Sequence, residues 1–360
     1  MPLDTRSDND GARYRVAADI GGTFTDIAVV GPGGTLLTRK VPSTPEDYGQ
    51  GVVEGVLALL QQHGLASARV GELLHASTVA TNAILEGRGA RTALITTEGF
   101  RDVLELRRIR VPRLYEPLYE KPRPLIPRRF RFEARERMSA TGAVLLPLVE
   151  ADVVKIATVL KDEGIESVAV TFLHSYANSA HERRVGEILR SCLPGVDVSL
   201  SVDVLPEIRE YERTSTTVIN AYISPPMRAY LRSLRASLQA SGISPTIMMM
   251  QSSGGVMSLD RVLERPAEIV ESGPAAGVIG AAFVASRSGF ENVITFDMGG
   301  TTAKAALIEN GVLLRTDEYE VGGGISLSSR LVKGGGYALK FPVIDISEVG
   351  AGGGSLVWID

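Results

Sequence analysis

The stretch Val16-Ala17-Ala18-Asp19-Ile20-Gly21-Gly22-Thr23-Phe24-Thr25-Asp26 recurs near the other end of the chain as Ile294-Thr295-Phe296-Asp297-Met298-Gly299-Gly300-Thr301-Thr302-Ala303-Lys304, without a gap. Each copy is an apolar run, an Asp-x-Gly-Gly-Thr turn and a second apolar run, Ile27 to Val30 in the first and Ala305 to Ile308 in the second. Each then meets a hairpin signal, Gly31-Pro32-Gly33-Gly34 or Asn310-Gly311, and a β-prone run, Thr35 to Lys40 or Val312 to Thr316. Both copies therefore predict strand, glycine turn, strand, hairpin, strand. A duplicated unit of this kind predicts two related α/β halves with a cleft between them.

The turn has a definite chemistry. Gly21 and Gly22 lack Cβ, so backbone N–H groups approach phosphate oxygens closely, and the hydroxyls of Thr23 and Thr25 donate further hydrogen bonds. An aspartate beside a phosphate cradle repels the ligand unless Asp19 holds a divalent cation, and Mg²⁺ shared between carboxylate and phosphate oxygens is the usual arrangement. Asp297, Gly299, Gly300, Thr301 and Thr302 repeat the set. One copy alone reads as a plain tight turn. Two copies with matching flanks read as a clamp on a polyphosphate around one cation, with Asp19 and Asp297 as the metal-side carboxylates. The copies differ where Asp26 of the first lies opposite Lys304 of the second, whose ammonium would neutralise phosphate.

Between the copies, helix and strand signals alternate. Residues 46–63 carry Val52, Val53, Val56, Leu57, Leu59 and Leu60 on one stripe ending at Gly64, and Thr92 to Thr96 is a short buried-strand signal. Residues 149–163 predict another amphipathic helix, followed by a strand at Val168 to Phe172 and a helix over 180–192. Such alternation argues for a mostly parallel, helix-covered sheet. From Pro206 to Gln239 the pattern is helical, and Pro225-Pro226 predicts a split into two helices. Thr246 to Gln251 reads as a buried strand whose Met248, Met249 and Met250 are core packing. Ser272-Gly273-Pro274-Ala275 predicts a helix start whose free N–H groups would meet an anion.

Composition removes other classes. The chain has 360 residues, 38 Lys+Arg against 42 Asp+Glu, and one cysteine, Cys192, so no internal disulfide framework exists. Cys192 is expected as a buried, inert thiol at a helix end. The charge balance gives no global attraction to nucleic acid or membrane, and no run reaches the roughly 20 apolar residues of a membrane span. Residues 1–14 lack an apolar core of signal-peptide type and read as a disordered leader, which points to the cytoplasm. Residues 101–137 are rich in Arg and Pro, but interleaved glutamates dilute the charge and favour an irregular surface segment over a nucleic-acid site. The histidines, His63, His75, His174 and His181, show no metal-binding spacing.

The two hairpins are similar to the phosphate motifs of the actin-like ATPase superfamily, whose halves each carry a ribonuclease H-like fold. More closely, the chain resembles the ATP-binding A (alpha) subunit of the hydantoinase/oxoprolinase family. The likeness rests on Asp19 to Asp26, Ser77 to Glu86, Thr97 to Asp102, Leu205 to Arg213, Gln251 to Gly255, Glu271 to Gly277 and Asp297 to Lys304. It implies residues 15–204 as an N-terminal hydantoinase/oxoprolinase domain and 205–360 as a hydantoinase A-type domain. Two departures stand out. His75 is followed by Ala76 where family members usually show Gly. The family's A subunits also run well beyond this length, so the second half is expected to be incomplete and the chain truncated.

By this resemblance the cofactors are ATP and Mg²⁺. Gly352, Gly353 and Gly354 lie near the adenosine, and Thr78, Thr81 and Asn82 lie on the substrate side, where capping of a helix is their simpler reading. The implied activity is ATP-dependent ring opening of a cyclic amide such as a hydantoin or 5-oxoproline, through phosphorylation of the amide carbonyl. Asp26 would orient the attacking oxygen, and a B-type subunit would complete the ring-opening site. The alternatives are an ATP-dependent ketone carboxylase subunit of the acetone or acetophenone type, a non-catalytic ATP-binding module acting through a partner, and a small-molecule kinase.

Overall fold

The computed structural model describes residues 13–44, 47–108, 118–300, 302–322, 335–349 and 352–356. Alternating burial builds its first strands. β1 (Tyr14–Ile20) buries Tyr14, Val16, Ala18 and Ile20, and β2 (Phe24–Val30) buries Thr25, Ile27 and Val29 opposite them. Tyr14 thus belongs to a strand, at the end of the expected leader; residues 1–12 lie outside the described residues. β3 (Leu36–Pro42) pairs antiparallel with β2. α1 (Tyr48–Gln62) covers the buried face with Val52, Val53, Val56, Leu59 and Leu60. Gly55 permits that approach, because a Cβ there would lie 2.2 Å from Ile27 Cδ1. β4 (Val70–Ser77) runs parallel to β1 and leads into α2 (Val79–Leu85).

A second sheet begins with β5 (Thr92–Thr97), buried at every residue. After α3 (Val103–Leu106) come β6 (Arg131–Ala134), a ribbon of β7 (Arg137–Met138) and β8 (Val144–Leu146), α4 (Glu150–Asp162), β9 (Ser167–Thr171), α5 (Ala180–Cys192) and β10 (Asp197–Leu200). The order β10-β9-β5-β6 is parallel throughout, as the helix and strand alternation predicts. Cys192, expected buried, is exposed, because it sits in the last turn of α5 on the face turned from the core.

The short α6 (Ser201–Val204) precedes α7 (Glu210–Ala240), which corrects the expectation of two helices. Pro225 and Pro226 lie inside one continuous helix. Pro226 has no N–H for the carbonyl of Tyr222, and Ala90 N–H donates to that oxygen at 2.9 Å instead. Packing holds the rest. α7 stands between the two sheets, giving Val218 and Ala221 to one core and Ile219, Tyr222, Ile223, Leu231 and Leu234 to the other.

β11 (Thr246–Met250) and β12 (Val256–Ser258) return to the first sheet, whose order is β12-β11-β4-β1-β2-β3. Met249 and Met250 are buried there, as expected. α8 (Leu259–Glu264) and α9 (Ser272–Arg287) lead to the repeat, β13 (Val293–Met298) and β14 (Ala303–Glu309). β15 (Val312–Leu313) continues that sheet. The run expected as one strand to Thr316 is interrupted, and β16 (Arg315–Thr316) pairs elsewhere, with β19 (Val343–Ile344). β17 (Tyr319–Val321) pairs with β18 (Tyr337–Leu339), and β20 (Ile346–Val349) pairs with β14. Among the described residues the core of this part is small, with Ala275, Val278, Ala306 and Ile344 buried while Ile294, Phe296 and Met298 are exposed.

The arginine-rich segment is described outside 109–117. Three of its arginines face carboxylates: Arg128 is bidentate to Asp102, Arg135 is bidentate to Asp152, and Arg131 reaches Glu105 at 2.9 Å. Local pairing offsets the charge of these three. Among the described residues, no helix is long and apolar enough to cross a membrane.

Candidate functional site: a cleft between two glycine hairpins

The repeat seen in the sequence is a repeat of hydrogen bonding. Asp19 pairs with Asp26 across β1 and β2, and Asp297 pairs with Lys304 across β13 and β14. Each turn closes the same way, with Gly21 N–H donating to Phe24 O and Gly299 N–H to Thr302 O, both at 2.9 Å. The tips face each other, since a Cβ on Gly300 would lie 3.6 Å from Thr23 Oγ1. Between them is a cavity of about 520 Å³. Its wall includes Asp19, Gly21, Gly22, Thr23 and Asp26 of the first hairpin and Asp297, Gly299, Gly300, Thr302 and Lys304 of the second, with Thr78, Gly273, Pro274 and Gly353.

Strand periodicity separates the remaining expected residues. Thr25 points away from the cavity, buried, with its hydroxyl 3.1 Å from Ser43 Oγ; Ser43 in turn donates to Gly21 O at 2.8 Å. It braces the turn from behind. Of the substrate-side group, Thr78 lines the cavity and donates to Ile20 O at 3.2 Å. Thr81 is buried and accepts the N–H of Glu271 at 3.0 Å, and Asn82 lies 3.5 Å from Thr78 Oγ1. Gly353 and Gly354 donate to the carbonyls of Gly299 and Gly300, at 2.9 and 3.3 Å, so the glycine-rich segment is stitched to the second turn. Gly352 is buried and takes a hydrogen bond arrangement of its own, its N–H donating to Ser355 Oγ. Thr301 lies outside the described residues.

Asp19 is the electrostatic centre. Burial, then the charges of Asp26 and Asp297, raise its pKa to about 6. Its Oδ1 is buried without a hydrogen-bond partner. An orphaned, desolvated carboxylate oxygen in a cavity with a second aspartate is the arrangement a divalent cation completes. Among the described residues no group of three or more His, Cys, Asp or Glu could hold a metal alone. The remaining ligands of such a cation would therefore be phosphate and water oxygens.

Sequence reasoning missed two contributors. Lys40 forms an ion pair with Asp26 at 2.7 Å, a contact that counting outward from the Gly31–Gly34 turn would have found. Glu271 holds Lys304 at 2.8 Å; it opens the stretch Glu271 to Gly277 that carries the family likeness, but nothing local points it at Lys304. Two of the histidines are structural: buried His75 faces Ala18 O at 2.8 Å and the Tyr230 hydroxyl, and buried His181 meets Glu136 at 2.8 Å.

The hydantoinase/oxoprolinase N-terminal region matches residues 15–193, and the hydantoinase/oxoprolinase model matches residues 213–360. The chain belongs to the hydantoinase/oxoprolinase family. An uncharacterized protein of Methanocaldococcus jannaschii is 44% identical over 351 residues, covering 96% of this chain and 51% of that one. The caprolactamase alpha subunit of Pseudomonas jessenii is 33% identical and covers 97% of this chain and 49% of its own. The crystal structure of that ATP-dependent caprolactamase superposes with a TM-score of 0.80, over 96% of this chain and 49% of that one. The nucleotide-free structure of acetone carboxylase, from work on ATP-dependent acetone carboxylation, gives a TM-score of 0.84 at 26% identity, over 97% and 49%. This member of the hydantoinase/oxoprolinase family spans about half the length of the curated relatives it matches. Its mixed α/β fold is that of the two enzymes.

Proposed function

We propose that this chain binds magnesium ATP in the hairpin cleft and, as the ATP-binding subunit of a larger enzyme, serves the ATP-dependent ring opening of a cyclic amide such as a hydantoin or 5-oxoproline. The observation that carries the nucleotide assignment is the facing pair of glycine turns around the unpartnered Oδ1 of Asp19. The amide assignment is supported by the family and by the caprolactamase relative.

Asp19 and Asp297 would hold the cation; the N–H groups of Gly22 and Gly300 and the hydroxyls of Thr23 and Thr302 would bind phosphate, while Gly21 and Gly299, whose own N–H groups close the turns, would let the phosphate approach closely. Bound ATP would supply a phosphoryl group to the amide oxygen, which converts a resonance-stabilised lactam into an electrophile that water opens. Asp26, on the same face as Asp19 and held by Lys40, is placed to orient the attacking oxygen. Ring opening would be completed with a B-type subunit.

A ketone carboxylase is the second reading, and the likeness to acetone carboxylase favours it. Phosphate release by the chain together with its partner subunit separates the two. The amide reading expects release stimulated by hydantoin, 5-oxoproline or caprolactam without bicarbonate. Release stimulated only by a ketone with bicarbonate would replace it with the carboxylase.

A further inference from the structure

Lys304 stands in the second hairpin where the first has Asp26. It lines the cleft, and Glu271 lies behind it, buried and off the cavity wall. Lys304 Nζ is 2.8 Å from Glu271 Oε2 and 3.6 Å from Glu348 Oε1. Burial opposes the ammonium charge, but the two carboxylates outweigh it and hold the pKa above the ordinary lysine value. Two carboxylates on one ammonium leave this group with a net negative charge beside the proposed phosphate path.

The position of Glu271 is imposed from several sides. Its backbone is left-handed, φ 66° and ψ 23°, which a residue with a Cβ adopts only when its surroundings require it. Its N–H donates to Thr81 Oγ1 on α2, and its side chain does not cap α9 but turns to Lys304. Two residues on, a Cβ at Gly273 would lie 3.0 Å from Asp19 Oδ1. The first turn of α9 thus touches the key side chain of each hairpin.

We propose that Glu271 is a positioning residue that restrains Lys304 and so sets how much of its charge reaches a nucleotide phosphate in the cleft. The proposal rests on the nucleotide reading above. Without Glu271, the ammonium keeps one partner and faces a bound phosphate with less competition, so binding tightens. Without Lys304, two carboxylates are left without their cation just behind the cleft wall and binding weakens.

Calorimetric titration of the chain with magnesium ADP tests this. Glu271→Gln is expected to tighten binding by about threefold to tenfold, and Lys304→Met to weaken it by about tenfold. In the double variant the gain from Glu271→Gln shrinks below about twofold, because the effect passes through Lys304. Glu271→Asp, which keeps the charge but draws it back by one methylene, gives a smaller tightening and serves if Glu271→Gln does not fold. Equal weakening by Glu271→Gln and Lys304→Met, or an unchanged affinity in both Glu271 variants, overturns the proposal. A wild-type chain that binds no magnesium ADP overturns the nucleotide reading itself, and that result is seen before any variant is made.

Discussion

Gly273, in the first turn of α9, approaches Asp19 so closely that a Cβ would lie 3.0 Å from Oδ1 and 3.4 Å from Thr78 Cγ2. That oxygen is the buried one without a partner. Helix and carboxylate therefore share a wall of the cleft, and the missing side chain keeps the oxygen open toward it.

Gly273→Ala separates function from stability. Replacing a helical Gly by Ala gains up to about 1 kcal/mol in helix propensity, which offsets the strain of a contact a few tenths of an ångström too short. Thermal unfolding should therefore move by only a few degrees. Phosphate release should fall by about tenfold or more, because the methyl group covers the acceptor and turns the carboxylate. A variant with normal turnover would show that Asp19 Oδ1 takes no part.

Asp19 and His75 should nearly cancel in the pH dependence of stability. They come from adjacent parallel strands, with Ala18 opposite His75 and Asp19 opposite Ala76. Burial, with Asp26 and Asp297, raises Asp19 to about 6, while burial lowers His75 to about 4. A raised carboxylate binds its proton more tightly in the fold, so its contribution is present below the unfolded value and is lost as pH rises toward 6. A lowered histidine contributes above its unfolded value, and that is lost as pH falls toward 4. Each slope is worth on the order of 3 kcal/mol, and they oppose each other over the same window. Asp19→Asn should therefore stabilise the protein at pH 7 and much less at pH 4.5. Urea midpoints at the two values measure it; an equal shift at both would contradict the raised pKa.

Thr23 and Thr25 should fail in different ways. Thr23 lines the cavity, whereas Thr25 is buried against Ser43. Thr23→Ala is expected to weaken magnesium ADP binding by about threefold to tenfold with little change in melting temperature. Thr25→Val removes a buried hydroxyl partner and is expected to destabilise by about 1 kcal/mol while leaving affinity within about twofold. Paired calorimetric and thermal measurements decide between the two patterns, and reversed effects would place the hydroxyls on the wrong faces.

The link between Ala90 and Tyr222 makes a further case. Ala90→Pro removes the N–H that serves the Tyr222 carbonyl inside α7 and should cost about 1–3 kcal/mol. Pro226→Ala should stay within about 1 kcal/mol of wild type, since that carbonyl already has a donor. Chemical denaturation of both variants gives the comparison.

Much of this was legible in the chain. The repeat around Asp19 and Asp297 predicts both hairpins because strand and turn signals are local: side chains alternate with period two, and glycines mark the turns. The same period, applied strictly, sends Thr25 away from Asp26, which a motif read as a block does not show. The prolines of α7 misled for the opposite reason. A proline's effect depends on whether another donor reaches the freed carbonyl, and here that donor is Ala90, far away in sequence.

The sequence by itself determined most of the elements, the pairing within each hairpin and the residue types that suit a phosphate cradle, because those depend on neighbours within a few residues. Only the tertiary structure decided that the two turns face one cavity, that Asp19 is desolvated with an open oxygen, and that Glu271 rather than a phosphate partner stands next to Lys304. Those are properties of distance and burial between segments 33 residues apart for Glu271 and Lys304 and far more for the two turns, beyond the range where local preference acts.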